Sequence, residues 1–235
     1  IYTETDEFSS SFTSEFVNYP SGDDAEICAT LCYVSTMLND SSRKAIFMHE
    51  YGRNKLRWNL TEIPEKLIKK GYLCLLFDFK GHGCSSYDQD ISTILDNPYV
   101  VKADFDASVQ FLDTLNLTCS DEIIVLGASL GACVATAVSS YDNIIGGVSL
   151  SAVKNISYSM LNASTKPRGI YFIAGELDKN DDFNVDCALD ASLLFDLANE
   201  PKKLEVIDNS SDHGVDVLIS FPELETKILR WVEHL

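Results

Sequence analysis

Basic residues are scarce in this chain: 18 Lys and Arg stand against 36 Asp and Glu, a formal net charge of −18 at pH 7. Nucleic acids and anionic membrane surfaces are polyanions, so this balance argues against both as partners. No apolar run approaches the ~20 residues of a helical membrane span. There is no internal repeat, no C-x-x-C and no zinc-type Cys/His spacing, so neither a metal nor any other cofactor is called for. The 7 cysteines are an odd number, which leaves at least one unpaired. Cys28 and Cys32 share an expected strand and would lie about 13 Å apart at ~3.3 Å per residue, too far to bridge. Cys74 and Cys133 fall in apolar runs, where a cysteine behaves as a small buried hydrophobe. Cys84, Cys119 and Cys187 sit in or near loops and could pair; structural filler is the reading for most of the seven.

What the chain does have is one stretch on which the rest is organised. Ile123 to Leu126 is a short apolar, β-branched run that reads as a strand buried on both faces. Gly127-Ala128-Ser129-Leu130-Gly131 follows at once, and an Ala- and Val-rich segment continues as a buried helix. A bare G-x-S-x-G arises by chance in roughly one sequence in fifteen of this composition, so the strand before and the helix after it carry the inference. In so tight a turn the serine is strained and the residues two before and two after must be nearly free of side chain, hence the glycines. The hydroxyl then stands above the sheet at the positive end of a helix, where a developing oxyanion is stabilised.

The remaining chain alternates strand and helix patterns. Residues 1–14 read as a polar leader and 15–235 as one α/β domain, which 235 residues at 46% hydrophobic content can fill. Glu15 to Tyr19 and Glu26 to Val34 read as a hairpin around Pro20–Asp24, an antiparallel edge on an otherwise parallel sheet. Strands are expected at 45–48, 72–77, 144–151, 169–174 and 203–207. Helices are expected at 60–70 (stopped by Gly71), 99–116, 186–199 and 224–235. The link from Ser151 to Gly169 holds only 17 residues, many of them Ser and Asn. That is too short and polar for a cap domain, so the pocket is expected to be open and to prefer short acyl chains.

A serine nucleophile needs a base, and the base an orienting carboxylate. Asp178 follows the 169–174 strand, and His213 lies in the loop after the 203–207 strand, which makes them the expected acid and base. Glu176, Asp181 and Asp182 are neighbouring carboxylates that could take the acid's place. The oxyanion hole is expected from the backbone N–H groups of Leu130 and Tyr51, with His49, Glu50 and His82 lining the pocket.

On these residues the chain, from about residue 44 onward, resembles the α/β-hydrolase-fold serine hydrolases. His49-Glu50-Tyr51-Gly52-Arg53-Asn54 is similar to the dienelactone hydrolase loop. Asp78-Phe79-Lys80-Gly81-His82-Gly83-Cys84-Ser85 resembles the D-x-R-G-H-G-x-S stretch of esterases, lipases and serine aminopeptidases. Dienelactone hydrolases proper use a cysteine nucleophile, whereas this chain has Ser129. The resemblance implies a mostly parallel sheet with helices on both faces, no large cap, and a carboxylesterase-like enzyme acting on small-molecule esters. A peptidase or thioesterase of the same fold, or a non-catalytic binding protein, are the alternatives; the oligomeric state is not legible. Six N-x-S/T sequons, at Asn39, Asn59, Asn116, Asn155, Asn162 and Asn209, exceed the roughly two that composition would give. With the polar leader and an opening Ile1, they lean the expectation towards an exported or surface-tethered protein whose gene product carries an export segment upstream.

Overall fold

The computed structural model describes residues 12–22, 25–161, 164–181 and 184–235. Most of the expected leader, Asp23 and Asp24 of the hairpin turn, Asn162 and Asp182 lie outside the described residues.

The chain opens with an antiparallel pair, β1 (Thr13–Ser21) and β2 (Ala25–Tyr33), in a register that sets Thr13 opposite Tyr33. β2 lies antiparallel to β4 (Leu73–Phe77). Beyond it β3 (Lys44–Met48), β5 (Ile123–Ala128), β6 (Ile144–Leu150), β7 (Arg168–Gly175) and β10 (Asn199–Ile207) run parallel. The spatial order is β1-β2-β4-β3-β5-β6-β7-β10. A two-stranded ribbon, β8 (Lys179–Asn180) with β9 (Val185–Asp186), stands apart from that sheet.

Period-two alternation divides the central strands between two cores. Ile123 and Val125 of β5 and Ile170, Phe172 and Ala174 of β7 face one; Ile124 and Leu126, with Tyr171 and Ile173, face the other. The first core is closed by α3 (Tyr99–Thr114), α4 (Leu130–Val138) and α6 (Cys187–Leu197), through side chains such as Phe105, Val134 and Leu194. The second is closed by α1 (Ile63–Ile68) and α8 (Glu223–Glu233), through Leu67, Ile228 and Val232. Both faces are covered, which is why these strands read as continuous apolar runs rather than as half-polar ones.

Three expectations change. The helix expected over 60–70 is a 3₁₀ turn at Lys55–Leu60 followed by the separate short α1. Pro64 sits in the first turn of α1; it has no N–H to give and its ring clashes with the carbonyl four residues back, so no helix runs through from Leu60. The 151–169 link is not bare loop but contains α5 (Lys154–Met160), which buries Ser157 and Met160. No cap domain is inserted there among the described residues. Cys28 and Cys84 form a disulfide with Cα atoms 5.8 Å apart, so these two are not filler. Antiparallel pairing of β2 with β4 makes that possible, because it sets the Cys28 carbonyl against the Asp78 amide at 3.0 Å. Two short elements complete the chain, α2 (Thr93–Asp96) and α7 (Asp216–Ser220).

Candidate active site

β5 delivers Ser129 into the turn with φ 52° and ψ −111°, a strained conformation for any residue but glycine. The flanking glycines are steric necessities. A Cβ on Gly127 would lie 2.1 Å from the Gly131 carbonyl oxygen, and one on Gly131 2.4 Å from the Met48 carbonyl oxygen. The turn is also tied to its neighbours: Ser129 N–H donates to the Leu150 carbonyl (2.8 Å), and Gly131 N–H to the His49 carbonyl (3.2 Å). The Ser129 side chain is partly exposed, and among the described residues its hydroxyl makes no hydrogen bond, to His213 included.

The end of β7 and the loop after β10 bring Asp178 and His213 together. His213 Nδ1–H donates to the Asp178 carboxylate, 2.9 Å from Oδ1 and 3.0 Å from Oδ2. That assignment leaves Nε2 as the ring's lone-pair nitrogen. The Asp178 side chain is 8% exposed and that of His213 42%. Burial by itself would depress His213, but the hydrogen bond and charge of Asp178, with Glu50 and Asp216 further away, hold its pKa above the ordinary value. The competing carboxylates point elsewhere: Glu176 is exposed and accepts from the Asn209 amide (2.8 Å), and Asp181 is exposed. Gly214 N–H donates to Ser151 Oγ (3.0 Å), so the His213 loop and the Ser129 turn are both anchored at the end of β6, through Ser151 and Leu150.

The amides of Tyr51 and Leu130 donate to no described protein group, as an oxyanion hole requires. His49 lies beneath them, fully buried. It accepts the Phe79 amide on Nε2 (3.0 Å) and so must carry its proton on Nδ1, against the Glu50 carbonyl (2.7 Å). Burial holds its pKa down at about 4, so it stays neutral. Glu50 turns inward rather than towards the entrance. Its Oε1 accepts from the Val215 amide (3.0 Å) and Arg57 Nε (3.4 Å), which joins the loop after β3 to the His213 loop. Its Oε2 is buried with no hydrogen-bond partner among the described residues.

Asp78, at the end of β4, is fully committed to structure. It accepts from Lys55 Nζ (2.9 Å), the Lys55 amide (2.6 Å) and the Cys84 amide (3.1 Å). Beside it opens a cavity of about 390 Å³ lined by Gly52, Arg53, Asn54, Arg57, His82 and Ile91 among others. Of the three side chains expected to line the substrate pocket, His82 lines this cavity and His49 and Glu50 are buried; Ser129 and His213 are not among the cavity's lining residues. Burial lowers the His82 pKa, and its Nε2 is buried with no hydrogen-bond partner among the described residues. Arg57 is engaged by Asp216 (2.6 Å), whereas Arg53 is exposed and makes no ion pair among the described residues. The two arginines were not picked out in the sequence; two cations just beyond the His49-Glu50 loop of so acidic a chain were the available signal.

Two groups of described side chains have donor atoms close enough to share a cation. They are Cys28, Asp78 and Cys84, and Asp178, Cys187 and His213. In the first, the sulfurs are joined and Lys55 supplies the positive charge. In the second, burial, with Asp178 close by, pushes the Cys187 thiol well above its ordinary range, so it stands as S–H.

A family model described as the dienelactone hydrolase family matches residues 38–192. No curated protein matches the chain in sequence. Among solved structures, the chain is similar to the esterase Pf2001 of Pyrococcus furiosus, with a TM-score of 0.72 and 22% identity over 95% of this chain and 93% of that one. It is similar to the dienelactone hydrolase of Anabaena variabilis, with a TM-score of 0.68 and 16% identity over 95% and 98%. It is also similar to the esterase RhEst1 of a Rhodococcus species, with a TM-score of 0.67 and 12% identity over 93% and 98%.

Proposed function

The chain belongs to the dienelactone hydrolase family of α/β-fold hydrolases, and on that premise we propose that it is a serine carboxylesterase acting on small acyl esters through Ser129. The observation that carries this reading is one juxtaposition. A serine stands in a strained strand-to-helix turn, and an Asp178–His213 pair at 2.9 Å is anchored to the same strand end.

Ser129 Oγ attacks the ester carbonyl while His213 Nε2 takes its proton. The tetrahedral oxyanion is held by the Leu130 and Tyr51 amides, and His213 returns the proton to the departing alcohol. Water then repeats the sequence on the acyl-enzyme. Asp178 keeps the imidazole proton on Nδ1, so that Nε2 presents its lone pair. The short α5 link, in place of a cap domain, favours compact acyl groups, since a methylene contributes its ~0.8 kcal/mol only where it is buried. Arg53, exposed on the cavity wall, favours an ester that also carries a carboxylate.

The test is steady-state hydrolysis of short p-nitrophenyl esters by Ser129→Ala, with circular dichroism to verify the fold. The expected loss in kcat is about 10⁴ or more. A variant that keeps a tenth of the parent rate would overturn the assignment. The Cys28–Cys84 disulfide and the exposure of Asn39, Asn59, Asn116, Asn155 and Asn209 support an exported protein.

A further inference from the structure

Cys187 is not a loop thiol. It opens α6, is 1% exposed, and its amide donates to the Asp178 carbonyl at 2.9 Å. Its Sγ lies 3.9 Å from His213 Nδ1, which itself lies 2.9 Å from Asp178 Oδ1. One ligating atom from each of the three residues falls within 4.8 Å of the other two. We propose that Asp178, Cys187 and His213 form a chelating site for a thiophilic divalent cation, zinc or cadmium, and that a cation bound there switches the hydrolase off. The switching rests on the reading of His213 as the catalytic base.

The spacing fits such an ion. Zinc takes sulfur at ~2.3 Å, nitrogen at ~2.0–2.1 Å and carboxylate oxygen at ~2.0–2.2 Å, so tetrahedral donors stand about 3.4–3.6 Å apart. The observed 2.9 and 3.9 Å bracket that range. His213 and Asp178 need to part by about half an ångström and the sulfur to close by a few tenths. The three residues come from segments already tied together, since Leu177 N–H donates to the Ser210 carbonyl (2.8 Å) and Cys187 N–H to that of Asp178. A mixed N, S and O set selects zinc or cadmium over magnesium or calcium, which demand oxygen. The half-exposed His213 ring gives solvent a way in and leaves a fourth position for water.

Inhibition follows from where the protons go. Without a cation, Nδ1–H points at Asp178 and the Nε2 lone pair serves Ser129. A cation takes the Nδ1 lone pair, so the neutral ring must carry its proton on Nε2. The nitrogen facing Ser129 then donates and cannot accept. The Cys187 thiol releases its proton to solvent as the sulfur–metal bond forms, and Asp178 exchanges its hydrogen bond for a metal bond. No electron changes hands. The wrong tautomer is the defect that an asparagine in the acid's place produces, with a loss of about 10⁴.

The probe is cadmium, added to protein carrying Cys119→Ser so that the exposed thiol is absent. We expect an ultraviolet thiolate-to-cadmium band that saturates at one ion per chain. Ester hydrolysis should fall in step with it, and a chelator should reverse both. Cys187→Ala should hydrolyse esters as the parent does, show no band, and need about 100-fold more cadmium for inhibition. Cys187→Ser supplies the same comparison should alanine loosen α6. A missing band, or one that survives the loss of Cys187, overturns the site. A Cys187-dependent band without inhibition overturns the switch. Because the band is read without substrate, it also separates this proposal from the esterase reading: an active Ser129→Ala would sink that reading while the band stood.

Discussion

Two buried carboxylates, Asp78 after β4 and Asp178 after β7, have the same company: a histidine, and cysteine within reach. At Asp78 the carboxylate is filled by Lys55 Nζ and two amides. The nearby His49 presents Nε2 at 4.0 Å, a nitrogen that already accepts from Phe79. At Asp178 the carboxylate receives Nδ1–H of a histidine whose side chain is 42% exposed. Burial keeps His49 neutral, whereas Asp178 raises His213. Residue type therefore does not make an acid–base pair. Which nitrogen faces the acid, and whether the other reaches solvent, does. The Asp78 side ties down the segment after β3 through Lys55, and on the proposed reading the Asp178 side moves protons.

The sharpest way to break this contrast is to remove each carboxylate in turn. Asp178→Asn should lose about 10⁴ in kcat with little change in thermal stability, because it fixes a tautomer. Asp78→Ala strands the buried Lys55 charge and should cost about 3–5 kcal/mol in denaturant unfolding. The reverse pattern would mean that the roles are exchanged.

The second largest effect belongs to His49. Its pKa is about 4 when folded and 6.5 when free, so below pH 6.5 the unfolded chain binds the extra proton more readily. Stability is present above that pH and drains as the pH falls towards 4, by about 3 kcal/mol from this residue. His49→Gln should flatten that slope in urea titrations across the window. An unchanged slope would remove His49 from the account.

His213 shifts the other way. Its raised pKa puts the acid limb of kcat/KM above the ordinary histidine value. Glu50→Gln removes a negative charge that favours the imidazolium, so the limb should move to lower pH. A limb below the ordinary value in the parent would contradict the Asp178 contact.

The smallest effect is on substrate choice. Arg53→Ala should raise KM by about tenfold for an ester bearing a carboxylate, the ~1.5 kcal/mol of one charge-assisted hydrogen bond. Neutral esters should be unaffected; equal losses on both would place Arg53 outside the substrate's reach.

Much of the architecture was legible because the parallel strands are short, apolar and bounded by turns, and because only one turn in the chain has glycine on both sides of a serine after such a strand. The hairpin edge and α3 followed from periodicity in the same way. What escaped was set by neighbours distant in sequence. Cys28 and Cys84 meet only because β2 pairs with β4, and Cys187 reaches His213 only because α6 starts under the Asp178 turn. Glu50 reads as a pocket-lining residue, yet it is buried, accepting from the Val215 amide 165 positions away. α5 was hidden because Ser and Asn favour caps and turns over helix interiors, and burial of Met160 outweighs that preference.

The claim that Ser129 is the nucleophile, activated by His213, meets its most direct test in covalent labelling. The protein is exposed to a fluorophosphonate and the adduct is located by peptide mass spectrometry. The account predicts one phosphonyl group on the peptide bearing Ser129, none on Ser129→Ala, and labelling slowed by orders of magnitude in His213→Ala. A label on any other residue, or undiminished labelling without His213, would contradict it.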